Sequence, residues 1–275
     1  MLVDFHMHSV FSDGVETPKE LLRHALDCNV SMMALTDHDE MDGIQALRAA
    51  QKELDPNESI KIVNGCEFSA DYRDKSIHIL GYCFDETNRE LNDFITFFKR
   101  KREERIDEII RRCNNEGYHI TKKELIKQFP DTKAYGRPHI GKLLIDGGYA
   151  KDINDVFKGI LRKGSPCYVP KVKVEVQHII DIIHKAGGLA VMAHPKLVTS
   201  DEYVLEMLDY NFDGIEVYHS KHNDDDVERY KALAKDYNLF ITGGSDYHGI
   251  PEKKPDKFGD YLVSGEDVSE FISLL

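Results

Sequence analysis

Short apolar runs alternate with longer amphipathic stretches along this chain, and the alternation predicts strand–helix–strand order. Runs at residues 2–5, 30–36, 60–66, 76–82, 189–193, 214–218 and 239–242 read as seven strands. Between them the sequence punctuates its helices. Thr17-Pro18-Lys19-Glu20 is a capping box with proline at the first helical position, opening a helix to about residue 27. Further helices are expected at 42–54 and 90–115, and Thr121-Lys122-Lys123-Glu124 opens another by the same capping logic. Pro138 and Asp152 begin two short ones. A helix at 175–186 is stopped by Gly187-Gly188, and two more follow at 202–208 and 225–237. The link into the fourth strand is too short to hold a long helix. Strands mostly separated by helices predict a parallel, barrel-like α/β body.

Residues 101–166 break the rhythm: they hold helical patterns only and no paired metal-ligating residues. This block reads as a helical insertion into a body formed by residues 1–100 and 167–275. The 275 residues, 41% hydrophobic, suffice for one such domain, and no apolar run approaches the ~20 residues of a membrane span. A strand begins at once, with no basic and apolar leader, so no secretory signal is expected. Cys28, Cys66, Cys83, Cys113 and Cys167 are odd in number and lack a C-x-x-C, which predicts reduced thiols and a cytoplasmic protein. The net charge of -13 argues against coating nucleic acid wholesale. Residues 99–173, however, carry 19 Lys plus Arg against 10 Asp plus Glu. An acidic body facing one basic segment predicts a polyanionic substrate held between them.

The chemistry concentrates in Asp4-Phe5-His6-Met7-His8, Thr36-Asp37-His38-Asp39 and Ser245-Asp246-Tyr247-His248, each closing a predicted strand. Residues two apart on a strand face the same way, so His6 with His8, and Asp246 with His248, can grip one ion. Asp13, Glu67, His78 and His194 also lie in or after strands, and the remaining strand ends near Glu216 and His219. Strand ends converge at the mouth of a barrel. His, Asp and Glu together suit borderline metals such as Zn, Mn and Fe. Ten candidates, counting Asp37, are too many for one ion, so at least two are implied, with Glu67 the best bridge. Clustered cations lower the pKa of bound water towards ~7 and neutralise phosphoryl oxygens, though amide hydrolysis uses similar pairs. His24, His119, His178, His184 and His222 lack partner motifs and read as structural, and His139 as packing within the insertion.

Taken in order, H-x-H at His6 and His8, S-D-G at Asp13, T-D-H at Asp37 and His38, G-x-E at Glu67, H-I-L-G at His78, A-H-P at His194 and S-D-x-H at Asp246 and His248 resemble the PHP (polymerase and histidinol phosphatase) family. The resemblance implies a distorted (β/α)7 TIM-like barrel and two or three divalent ions. One ion would sit on His6, His8, Glu67 and Asp246, a second on Glu67, His78 and His194, and a third on Asp13, His38 and His248. Asp37 would support the ligands without touching an ion. The nucleophile would be metal-bound hydroxide held by Asp13, His38, Glu67 and His248. Gly136-Arg137-Pro138-His139-Ile140, inside the insertion, is similar to the branch containing nucleoside 3',5'-bisphosphate phosphatases and RNA 5'-end exonucleases. The implied activity is hydrolysis of a terminal phosphate of a nucleotide or short oligonucleotide. Arg137 suits a bidentate phosphate contact, Arg102 and Arg105 a second phosphate, and His219 a substrate contact. Histidinol-phosphate phosphatase is the alternative in the same fold. An amidohydrolase and a non-catalytic, metal-dependent nucleotide-binding module are alternatives of other classes. No membrane or stable duplex nucleic-acid partner is expected.

Overall fold

Strands buried on both faces wrap the chain's sheet around an apolar floor. The structure, a computed structural model, describes residues 1–73, 75–250 and 253–275. In chain order its elements are β1 (Leu2–Asp4), α1 (Pro18–Asp27), β2 (Val30–Leu35), α2 (Asp42–Leu54), β3 (Lys61–Tyr72), β4 (Lys75–Tyr82) and α3 (Arg89–Asn115). Then come α4 (Lys122–Gln128), α5 (Arg137–Asp146), α6 (Ile153–Lys158), α7 (Val176–Lys185), β5 (Leu189–Met192), a 3-10 turn (Pro195–Val198) and α8 (Asp201–Leu208). β6 (Gly214–His219), α9 (Asp224–Asp236), β7 (Phe240–Gly244), β8 (Val263–Ser264) and α10 (Ser269–Leu274) complete the chain. Both expected capping boxes form: Thr17 and Thr121 accept the backbone N–H of Glu20 and Glu124, whose carboxylates reach back. Gly136 has no side chain to cap α5, so His139 reaches back instead, and the Gly136 N–H donates to its Nδ1 at 2.9 Å.

Among the described residues the sheet has eight strands in the order β7-β6-β5-β4-β3-β2-β1-β8. It closes where the chain beyond β1 meets β7 and its continuation. Phe5 N donates to Gly243 O (3.3 Å), Asp246 N to His6 O (2.8 Å) and His8 N to Tyr247 O (2.9 Å). The expected distorted barrel is present, with three corrections. β4 runs antiparallel to both β3 and β5, because a tight turn cannot supply the long crossover that a parallel return needs. β3 runs on to Tyr72, so Glu67 sits inside a hairpin rather than after a strand end. The eighth strand, β8, pairs antiparallel with β1 through Leu2 and Val3.

The strands' two-residue period sorts their side chains. Val63, Leu80, Tyr82, Val191 and Phe240 join Phe5 in an inner cluster, which Phe271 of α10 plugs. The Phe271 ring lies 5.0 Å from Phe5, 5.0 Å from Tyr82 and 5.3 Å from Phe240. Phe68, Ile77, Ile79, Met192 and Ile215 point the other way, into the cluster beneath α3, α7 and α8. Glu67 and His78 share the parity of Val63 and Leu80. The lining thus changes from an apolar floor to ligand-type side chains at the opposite end. Residues Ile106 to Cys167 contribute a separate apolar cluster, centred on Ile109, Leu125, Ile140, Leu144 and Val156.

Candidate metal centre and its basic flank

Backbone closure places the first ligand pair. His6 and His8 follow β1, and the neighbouring chain comes so close that a Cβ on Gly244 would lie 2.4 Å from that of His6. The next loop turns at Gly14, where a Cβ would lie 2.4 Å from the His8 carbonyl oxygen, and this turn presents Asp13. Asp37 pins the loop from beneath: Ser9 N and Oγ donate to it at 2.8 and 2.7 Å, and Ser12 Oγ at 2.5 Å. The supporting part expected of Asp37 agrees with these bonds. His194 and Asp246 hold positive φ, at 27° and 55°. Such backbone costs of order 1–3 kcal/mol and persists where the surroundings over-determine it.

Glu67 is at the centre and wholly buried. Its Oε2 lies 3.3 Å from His6 Nε2, 3.1 Å from His8 Nε2 and 3.1 Å from His38 Nδ1. Its Oε1 lies 2.7 Å from His78 Nδ1 and 2.9 Å from His194 Nε2. Asp246 Oδ1 is 3.2 Å from His8 Nε2, and Asp13 Oδ1 is 3.3 Å from His248 Nε2. Ligand-type atoms of His6, His8, Glu67 and Asp246 all fall within 4.8 Å of one another, as do those of His8, Asp13, His38 and His248, and those of His38, Glu67 and His78. The nine residues expected to hold metal thus form one contiguous cluster around Glu67.

Burial alone would raise the Glu67 carboxyl, but the charges of His38, His78 and His6 hold it well below the usual range. Burial opposes ionisation of Asp246 too, and the nearby His248, His219 and His8 hold it low. Against burial, Asp246 and Glu67 raise His8 to about 9. His6 Nε2, both His8 ring nitrogens, Asp13 Oδ1, His38 Nδ1, Glu67 Oε2 and His248 Nε2 are buried without a hydrogen-bond partner among the described residues. An orphaned buried polar atom costs about 1–3 kcal/mol. The gathering of these atoms around the carboxylates of Asp13, Glu67 and Asp246 fits divalent cations, which would satisfy the carboxylate oxygens and one nitrogen of each ring.

The substrate-contact candidates are spread over two sides. Ser69, Phe98, Lys101, Arg102, Arg105, Lys171 and Val172 line a pocket beside the cluster. Arg102 donates to buried Asp39, next to His38, and Arg105 Nε donates to Val169 O at 2.9 Å. These two arginines do not form a solvated helix face. Arg137 lies on the same basic flank, close enough to bear on the charges of Arg105 and Lys171, its guanidinium 5.2 Å from the Phe157 ring centre. His219 is on the other side, wholly buried, its Nε2 3.5 Å from Asp246 Oδ2.

Three residues near the site were given no role by sequence, though Glu216 was noted at its strand end. Lys171 is pushed down to about 8 by burial and by Arg102. Lys221 Nζ lies 3.0 Å from Asp246 Oδ2. Glu216 contacts His6 and the backbone of His194. Glu216 alone gave a signal, since its strand ends at the same mouth. His139 packs against Phe129 and Tyr135 as expected, and His184 pairs with Asp213 at 2.7 Å.

Residues 4–241 match the PHP domain family. The 5'-3' exoribonuclease Rnm of Salmonella typhimurium is 30% identical over 255 residues, covering 90% of this chain and 85% of the relative. The 3',5'-nucleoside bisphosphate phosphatase of Chromobacterium violaceum is 29% identical over 255 residues, covering 91% and 88%. A solved structure from Bifidobacterium adolescentis, described as a candidate metal-dependent phosphoesterase, superposes with a TM-score of 0.84 at 29% identity, covering 98% of this chain and 95% of that one.

Proposed function

The chain belongs to the PHP domain family of metal-dependent phosphoesterases, and on that premise we propose that it hydrolyses a terminal phosphate of a nucleoside 3',5'-bisphosphate or of a short oligonucleotide. The observation that carries this reading is the joining of two features through one loop. His38 faces Glu67 in the ligand cluster, and the adjacent Asp39 holds Arg102 in the basic pocket. A substrate with one phosphate at the cluster and a second in the pocket uses both. Histidinol phosphate, a cationic alcohol ester, would set its own positive charge against Arg102, Arg105 and Lys171.

In this reading His6, His8, Glu67 and Asp246 hold one ion, Glu67, His78 and His194 a second, and Asp13, His38 and His248 a third. When bound, the ions supply Lewis acidity to the phosphoryl oxygens and acidify water towards ~7. The chain's own residues do the rest. Asp37 keeps Asp13 in place by gripping Ser9 and Ser12. Arg137 supplies a rigid donor fork that stays charged at any working pH. Arg102 and Arg105 take the second phosphate, and His219 meets the substrate from the β6 side. The helical block of residues 101–166 covers the mouth. Its contacts with the metal-side loops support this: Lys133 N and Ala134 N both donate to Phe11 O at 3.1 Å, two residues before Asp13.

The test is a phosphate-release screen with Mn, Zn, Fe or Mg across 3',5'-bisphosphates, 5'-monophosphates, histidinol phosphate and short 5'-phosphorylated RNA. Highest kcat/KM on a bisphosphate or RNA end is expected. Highest kcat/KM on histidinol phosphate would reverse the assignment.

A further inference from the structure

We propose that Glu216 is a positioning residue that presets two histidines of the centre at once, fixing the ring of His6 and the backbone of His194. The inference rests on the reading of those histidines as metal ligands. Glu216 lies on β6, wholly buried. Its Oε1 is 2.8 Å from His6 Nδ1, and its Oε2 accepts the His194 backbone N–H at 2.7 Å. The carboxylate is therefore used at both ends. Although it lies within reach of His6 and His219, it is committed to support rather than free to hold an ion.

Each bond has a consequence at the centre. A carboxylate on Nδ1 holds a proton there, so that Nε2, 3.3 and 3.7 Å from Glu67 and Asp246, is the nitrogen left to give its lone pair to an ion. The opposite tautomer would put a proton where an ion must bind. The second bond acts on a strained residue. His194 has φ 27° and ψ 64°, where few non-glycine residues rest. Holding its N–H fixes the turn that aims Nε2 at Glu67 Oε1, 2.9 Å away. His6 and His194 meet different oxygens of Glu67, so one buried side chain on β6 sets ligands on both sides of the bridge.

Glu216→Gln is the informative change because it keeps the shape. A carboxamide offers one acceptor and one donor, while two N–H groups here each need an acceptor. Either His194 loses its partner, or His6 is driven to the tautomer that cannot bind metal. Support residues of this kind typically carry 10–100-fold in metal affinity. We expect zinc affinity, measured by chelator competition, to fall by about that factor. The companion measurement needs no variant: nitrogen-15 NMR of histidine-labelled, zinc-loaded wild type should show His6 protonated on Nδ1. Undiminished zinc affinity in Glu216→Gln, or an Nε2 proton on wild-type His6, would overturn the inference while leaving the metal reading standing. Wild-type protein that binds no zinc, manganese or iron would instead overturn the metal reading and this inference with it.

Discussion

A carboxylate taken fully out of water stays ionised only where its surroundings compensate it. Glu67 has such compensation on both oxygens, and that makes it the residue most sensitive to change. Glu67→Gln keeps the volume but removes the charge and converts one oxygen into a donor facing histidine nitrogens. It should lower kcat/KM by about 100-fold or more, beyond the 10–100-fold typical of groups that only support ligands. Steady-state phosphate release with equal protein and metal tests this. Arg137 should behave differently. Arg137→Lys retains the charge but loses the fork, and one charged hydrogen bond is worth about 1.5–3 kcal/mol. A fall in kcat/KM of about 10–100-fold with unchanged metal content is expected, and a matching loss of metal would contradict the positioning role.

Lys171 gives a pH test with a definite sign. Burial first, and then the Arg102 charge, lower it from 10.5 to about 8. Between those values the unfolded chain holds a proton that the folded chain does not, so this group's contribution to stability rises with pH. Below about 8 its full penalty is present. Substrate-free Lys171→Met should therefore melt higher than wild type at pH 7, and the gap should shrink by pH 9.5. A gap that is constant or widens would show that Lys171 is not desolvated as described.

At the level of elements, legibility followed locality. Thr17 to Glu20 and Thr121 to Glu124 encode their caps within four residues each, and both helices start as read. The direction of β4 is also a local matter, because the short link after β3 already forbids a parallel return; applying the barrel pattern there obscured it. Only two residues of β8 pair with β1, too few to show any period. The plug formed by Phe271 was invisible because its worth depends on three rings from distant strands. Phe271→Ala should cost roughly 3–5 kcal/mol. Chemical denaturation should show that loss while the folded variant keeps its metal content. A loss below 1 kcal/mol would mean that α10 does not seal the floor.

Across the whole molecule, the His, Asp and Glu cluster could be read because metal chemistry restricts residue types and strand ends repeat their spacing. The basic flank was only half legible. The charge excess at residues 99–173 was plain, but nothing local showed that Arg102 and Arg105 turn inward while Arg100 and Arg111 stay exposed. Lys171 arrives on the chain returning from the helical block, and the geometry of that return is set by tertiary packing. Removing the pocket's charge must respect Asp39, since an unpaired buried carboxylate is strongly destabilising. Arg102→Gln leaves Asp39 a donor. Combined with Arg105→Gln, it should erode the preference for a 3',5'-bisphosphate over a 5'-monophosphate while turnover of a small aryl phosphate survives. An unchanged ratio would detach the pocket from substrate choice.

In the proposed centre one carboxylate, Glu67, would join neighbouring metal ions. Electron paramagnetic resonance of the manganese-reconstituted protein tests it most directly. Two ions bridged through Glu67 should give the spectrum of an exchange-coupled pair, replaced in Glu67→Gln by that of isolated manganese. Magnetically isolated manganese in the fully loaded wild type, or a single bound ion per chain, would contradict it.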